Sequence, residues 1–114
     1  MFFGQDFQQL TKLQLSWCAI TDANTVFIAS ITSLRYLDLR QNPITDSGVK
    51  ECQRLEILQH LDVSGCWDVS DQSVGCLFTL IQLRWLGVSG TKVTNNGKEM
   101  LQTIMNDLVI VKKY

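Results

Sequence analysis

His60, Asp62 and Ser64 are the residues of this 114-residue chain that most invite a chemical reading. Serine, histidine and aspartate are the side chains of a nucleophilic relay, in which the acid orients the imidazole and the imidazole takes the hydroxyl proton. Their alternate spacing puts all three on one face of a strand, with about 6.5–7 Å between successive members. That is too far for a hydrogen-bonded relay, and an open sheet offers neither an oxyanion site nor a pocket. The set reads as solvent-facing polar residues, so no catalytic residue is assigned and the chain is not expected to be an enzyme. The four cysteines, Cys18, Cys52, Cys66 and Cys76, could in principle pair or hold metal. No CxxC pair occurs, and the opening MFFGQDF has neither the basic nor the apolar region of a secretory signal. Reduced thiols in an intracellular protein, cytoplasmic or nuclear, are therefore the better reading.

Composition narrows the alternatives. Ten Lys and Arg against eleven Asp and Glu leave a net charge of −1, without the basic excess of a nucleic-acid binder. Hydrophobic residues at 46% and charged residues at 18% exclude a disordered chain. Apolar runs such as Val26-Phe27-Ile28-Ala29 and Leu108-Val109-Ile110-Val111 are far short of the ~20 residues of a membrane helix, so no membrane insertion is expected.

The elements that must position these residues come from an internal repeat. LTKLQLSWCAITD begins at Leu10, LRYLDLRQNPITD at Leu34, LQHLDVSGCWDVSD at Leu58 and LRWLGVSGTKVTN at Leu83. A shortened copy, LVIVKKY, begins at Leu108. The organisation read from this is a single domain over 1–114. Residues 1–9 form an N-terminal cap carrying Phe2, Phe3 and Phe7, four repeats start at 10, 34, 58 and 83, and a closing strand covers 108–114. Within each copy positions 1, 4 and 6 are apolar, and the last two alternate with polar residues as in a strand buried on one face. Position 9 holds Cys18, Asn42, Cys66 and Thr91, small groups suited to bonding backbone at a turn. Then come Thr21-Asp22, Thr45-Asp46, Ser70-Asp71 and Thr94-Asn95, where the Asp or Asn is expected to cap a helix. Helical apolar spacing follows: Ile28 and Ile31; Val49, Cys52 and Leu55; Val74, Leu77 and Leu80; Leu101 and Ile104. Gly48 and Gly97 weaken local helix propensity.

This spelling, L-x-x-L-x-L-x-x-[N/C]-x-L, resembles the leucine-rich repeat. LQLSWCAITDA and LDVSGCWDVSD resemble more closely its cysteine-containing subtype, as found in F-box proteins, whereas Asn42, Thr91 and Asn95 depart from it. The resemblance implies an α/β leucine-rich-repeat solenoid: an arc of four strand-turn-helix units and a C-terminal capping strand, with a parallel sheet on the concave face. It also implies a non-catalytic protein–protein interaction module, such as the substrate-recognition region of an F-box-type ubiquitin-ligase receptor, although no F-box segment is read in this chain. The alternative is a structural assembly factor of a mitochondrial membrane complex, resembling the ATP synthase coupling factor B family.

In such an arc the polar alternates of the strands form columns on the concave face. The first is Lys12, Tyr36, His60, Trp85 and Ile110; the second Gln14, Asp38, Asp62, Gly87 and Lys112; the third Ser16, Arg40, Ser64, Ser89 and Tyr114. Tyr, Trp and Arg dominate binding hot spots. Tyr36, Asp38, Arg40, His60, Asp62 and Trp85 are therefore the candidate protein-binding residues, against the alternative of an aromatic ladder that only stabilises the sheet. Cys18 and Cys66 would lie about 10 Å apart, two strand spacings, so no zinc site is assigned. The cysteines read instead as buried structural thiols, with Cys76 partly exposed. No cofactor is implied. Trp17 and Trp67 are expected to pack over the rim, the alternative being a lateral binding edge. Leu108–Val111 reads as an edge strand through which copies could self-associate, with Lys112 and Lys113 discouraging further pairing.

Overall fold

The computed structural model describes residues 9–113. Five three-residue strands, β1 Lys12–Gln14, β2 Tyr36–Asp38, β3 His60–Asp62, β4 Trp85–Gly87 and β5 Val109–Val111, form one parallel sheet in chain order. Between them run α1 Asp22–Ile28, α2 Asp46–Glu51, α3 Asp71–Val74 and α4 Asn95–Ile104. Helices α2 and α3 tighten into 3₁₀ turns over Cys52–Arg54 and Gly75–Thr79. Each repeat thus climbs along a strand, turns, and returns through a short helix. Strands stack about 4.8 Å apart and helices about 8–10 Å, which bends the sheet inward and makes its open face the concave one.

Register follows the repeat for four strands. Leu13 pairs with Leu37, Leu37 with Leu61, and Leu61 with Leu86, so equivalent leucines sit on adjacent rungs. Leu37, Leu39, Leu61, Val63, Leu86 and Val88 are fully buried, against Ile31, Val49, Leu55, Val74, Leu77 and Leu80 from the helical side. One repeat cannot bury this face alone, so the core exists only in the stack. The fifth strand departs from the expected columns. Trp85 pairs with Val109, not Ile110, and Gly87 with Val111, not Lys112. Leu108 keeps the turn bond of its equivalents, donating its N–H to the Met105 carbonyl as Leu83 does to Leu80. Only one residue then separates it from the buried Ile110, where Leu83 and Leu86 are separated by two. Core burial decides the register, and Val109 turns outward. Ile104 also departs, being 62% exposed on α4. The proposed cap residues Phe2, Phe3 and Phe7, and Tyr114, lie outside the described residues.

The helix starts correct a second expectation. The N-caps are Thr21, Thr45, Ser70 and Thr94, and each following Asp or Asn is the first helical residue. Freed from capping its own helix, each aspartate reaches the next repeat. The Asp22 carboxylate accepts from Thr45 N (2.8 Å) and Oγ1 (2.6 Å), and Asp71 accepts from Thr94 N (2.8 Å) and Oγ1 (2.6 Å). Asp46 accepts from Ser70 N (2.7 Å), Ser70 Oγ (2.6 Å) and Ser73 Oγ (2.6 Å). Burial works against the ionised form of Asp46, but the two serines outweigh it and hold its pKa below the ordinary value. Gly48 and Gly97 make room for this ladder. A Cβ at Gly48 would collide with the Asp22 carboxylate, and one at Gly97 with that of Asp71. In the third repeat Ser73 occupies the equivalent place and donates to Asp46 instead.

The strand exits are held by position 9. Asn42, 2% exposed, donates through Nδ2 to the carbonyls of Leu15, Leu39 and Arg40 and accepts at Oδ1 from the N–H groups of Cys18 and Ile20. Cys66 donates to the Leu39 carbonyl at 3.1 Å, and Thr91 to that of Val88 at 2.6 Å. Position 8 is left-handed in all four repeats: Trp17 (φ 58), Gln41 (φ 60), Gly65 (φ 77) and Gly90 (φ 67). Glycine adopts that conformation freely, whereas tryptophan does so only under strain.

Candidate functional site

The first column stands on the concave face as a stack of rings. Tyr36 lies against His60 with centroids 4.0 Å apart and planes at 9°, and His60 lies against Trp85 at 4.2 Å and 1°. Strand spacing explains it, because equivalent side chains on parallel strands repeat at about 4.8 Å, close to ring-stacking distance. Lys12 extends the row on β1, its Nζ 4.6 Å from the Tyr36 centroid, which is cation–π distance. Gly87 makes room beside Trp85. A Cβ there would collide with Asp62 and come within 2.7 Å of the indole Cη2, so the missing side chain lets the indole lie along its own strand.

The second and third columns form an ion cluster beside the stack. Arg40 donates through Nε to both Asp38 oxygens (3.1 and 3.2 Å) and through Nη2 to Oδ2 (3.0 Å), and its Nε lies 3.7 Å from Asp62. Backbone N–H groups complete the acids: Arg40 N donates to Asp38 and Ser64 N to Asp62, both at 3.0 Å. Asp38 and Asp62 therefore project toward the concave face yet are only 2% and 8% exposed, while the Arg40 side chain is 50% exposed. The bond to Asp38 and that acid's charge raise the Arg40 pKa further, against an opposing effect of burial and with a lesser contribution from Asp62. His60 moves the other way. Partial burial between the rings lowers its pKa and outweighs Asp62 and Asp38, while the positive charges of Lys12 and Arg40 act in the same direction as burial.

No relay forms among His60, Asp62 and Ser64. Asp62 is engaged with Arg40 and Ser64 N, Ser64 Oγ accepts from Ser89 N at 3.2 Å, and the imidazole is held between two rings. Cys52 and Cys66 are buried, and burial pushes their thiols up to about 12 and about 11 respectively. Cys18 is exposed, contrary to the expectation of burial, its thiol donating to the Ser16 carbonyl at 3.4 Å. Trp17 and Trp67 do not pack over the rim either: they are 77% and 64% exposed, with Lys92 Nζ 5.2 Å from the Trp67 ring.

A family model of the leucine rich repeat matches residues 8–66, and a second one matches 56–78. The chain belongs to the leucine-rich-repeat family. Among curated proteins it is similar to leucine-rich repeat-containing protein 42 from Bos taurus, 32% identical over 116 residues, and to its Homo sapiens counterpart, 31% identical over 113. Each match covers 87% of this chain and 26% of the relative, so the chain spans about a quarter of the length of the curated relatives it matches. Among solved structures, an internalin of Listeria monocytogenes aligns at 20% identity over 89% of this chain and 40% of that one, with a TM-score of 0.47. Repeats of this family are protein-interaction modules. Against that background the six candidate residues are brought together in one continuous cluster on the concave face. Two contributors were not singled out from sequence. Lys12 occupied the right column but carried no distinguishing signal, and Gly87 mattered only through the indole beside it.

Proposed function

We propose that this chain is a non-catalytic recognition module that binds a protein partner across the concave face, with Tyr36, His60 and Trp85 at the centre and Arg40 beside them. The observation that carries this reading is the ring stack itself, presented on the open face next to an arginine whose orientation is set by a bidentate carboxylate. Rigid aromatic and arginine groups lose little conformational freedom on binding, which is why they concentrate interface energy. The test is affinity capture from cell extract with the wild-type chain and a Tyr36→Ala/Trp85→Ala variant, paired with melting curves. Partners lost at a melting temperature close to that of wild type support docking. An identical set of captured proteins refutes it, and a variant that loses stability in step with binding makes the stack a structural ladder.

The finer setting is drawn from the motif. LQLSWCAITDA and LDVSGCWDVSD favour a role in substrate choice by an F-box-type ubiquitin ligase, inside the cell, and the four free thiols support that compartment. Capture of ligase components would bear this out. Recovery of mitochondrial membrane-complex subunits would favour the assembly-factor alternative.

A further inference from the structure

The concave cluster is electrically lopsided although its charges balance. Lys12 and Arg40 offset Asp38 and Asp62 in formal charge, but the cations are exposed and the acids are not. Asp38 and Asp62 have their oxygens turned to Arg40 and to backbone N–H groups, so they offer little to an incoming molecule. The unengaged groups are chiefly donors. Arg40 Nη1, the Tyr36 hydroxyl, the His60 ring nitrogens (one an N–H donor in the neutral ring) and Trp85 Nε1 bond to no protein group among the described residues. Among the described residues, Lys12 Nζ meets only the Tyr36 ring face.

Ring orientation restricts the partner further. The near-parallel rings turn most of their faces to one another and to Lys12, so ring edges are what most of the stack presents. A nucleobase would need a free ring face on which to stack, and here those faces are largely occupied. A row of edge donors suits acceptors strung along an extended chain. From Lys12 on β1 to Trp85 on β4 is three strand spacings, about 14 Å, which an extended peptide at about 3.3 Å per residue crosses in four or five residues.

We propose that the partner presents an extended acidic segment that crosses the strands from Lys12 to Trp85. Its carboxylates pair with Lys12 and Arg40, and its remaining oxygens accept from Tyr36, His60 and Trp85. This rests on the docking reading above and adds the chemistry of the partner.

The test is fluorescence anisotropy of labelled pentapeptides of glutamate, glutamine and phosphoserine, and of a labelled oligothymidylate, titrated with the full chain. The glutamate peptide should bind at least tenfold tighter than the glutamine peptide, and should weaken severalfold between low and 0.3 M salt. Lys12→Glu should weaken it at least fivefold, and Lys12→Gln less, with melting curves unchanged because Lys12 is exposed. Glutamate and glutamine peptides binding within twofold of each other would overturn the proposal. So would insensitivity to Lys12→Glu, or tenfold tighter binding of the phosphoserine peptide or the oligothymidylate. If captured proteins are lost in the Tyr36/Trp85 variant while the peptides bind alike, the acidic assignment fails and the docking reading stands. If capture is also unaffected, both fail.

Discussion

Replacing Asp46 by alanine removes the middle rung of the carboxylate ladder between repeats. Three donors lose their acceptor: Ser70 N, Ser70 Oγ and Ser73 Oγ. A hydrogen bond to a charged group contributes about 1.5–3 kcal/mol, which would set a ceiling near three such terms. Two features reduce it. Ser70 is half-buried, so water can replace the carboxylate there, and Ser73 can turn its hydroxyl to the Ser70 carbonyl, already at 3.4 Å. Ser73 is nevertheless fully buried, and its surroundings lose a partner that water cannot easily replace. The expected loss is about 3 kcal/mol, out of the roughly 6–15 kcal/mol typical of a chain this size. Asp71→Ala, whose two bonds lie at the exposed start of α4, should cost only about 1 kcal/mol. At about 4 °C per kcal/mol, the melting temperatures should fall by about 12 °C and about 4 °C. Urea unfolding followed by tryptophan fluorescence gives the two free-energy losses, and thermal melts give the two temperature shifts. The acid limb adds a second reading. Because the folded Asp46 pKa lies below its ordinary 3.8, its contribution is complete above that value and is lost as pH falls through the lower folded one. Asp46→Ala should therefore flatten the acid limb. An Asp46→Ala chain within 0.5 kcal/mol of wild type, or no less stable than Asp71→Ala, would refute the ladder.

Further outcomes follow from the same geometry. Gly48→Ala should destabilise by about 1–3 kcal/mol, since its methyl group displaces the Asp22 carboxylate; urea unfolding measures this, and a neutral result would contradict the tight approach. Trp17→Gly should raise stability by about 0.5–1 kcal/mol, as glycine relieves the left-handed conformation while little buried area is lost. A thiol reagent should modify Cys18 first and Cys76 more slowly, while Cys52 and Cys66 react only on unfolding; early labelling of Cys66 would show that the third turn opens. The His60 titration, followed by NMR, should fall below its ordinary 6.5, so its stabilising effect is full above 6.5 and declines as pH drops through the lower folded value. Trp85→Ala should move that titration back toward 6.5 by uncovering the ring.

The repeat architecture was legible because a strand that buries one face must alternate, and a stack must repeat that alternation at one interval. The leucine positions therefore stated both the strands and their order, and with them the alignment of Tyr36, His60 and Trp85. Where the chain length between landmarks changed, the pattern misled: Leu108 marked the fifth turn correctly, yet the strand began one residue sooner because Ile110 and not Val109 fits the core. The aspartates posed a different difficulty. Any Asp after Thr looks like a helix cap, since both can accept the first free N–H groups, and the choice between them turned on whether a neighbouring repeat offered donors within reach. Asp38 and Asp62 belonged to the exposed face by alternation, and Arg40 folding back over them, together with the backbone N–H groups of Arg40 and Ser64, withdrew them from solvent. Periodic burial is a one-dimensional property and can be read from residue order. Which polar group meets which across two repeats depends on distances in space, and those arise only once the units are stacked.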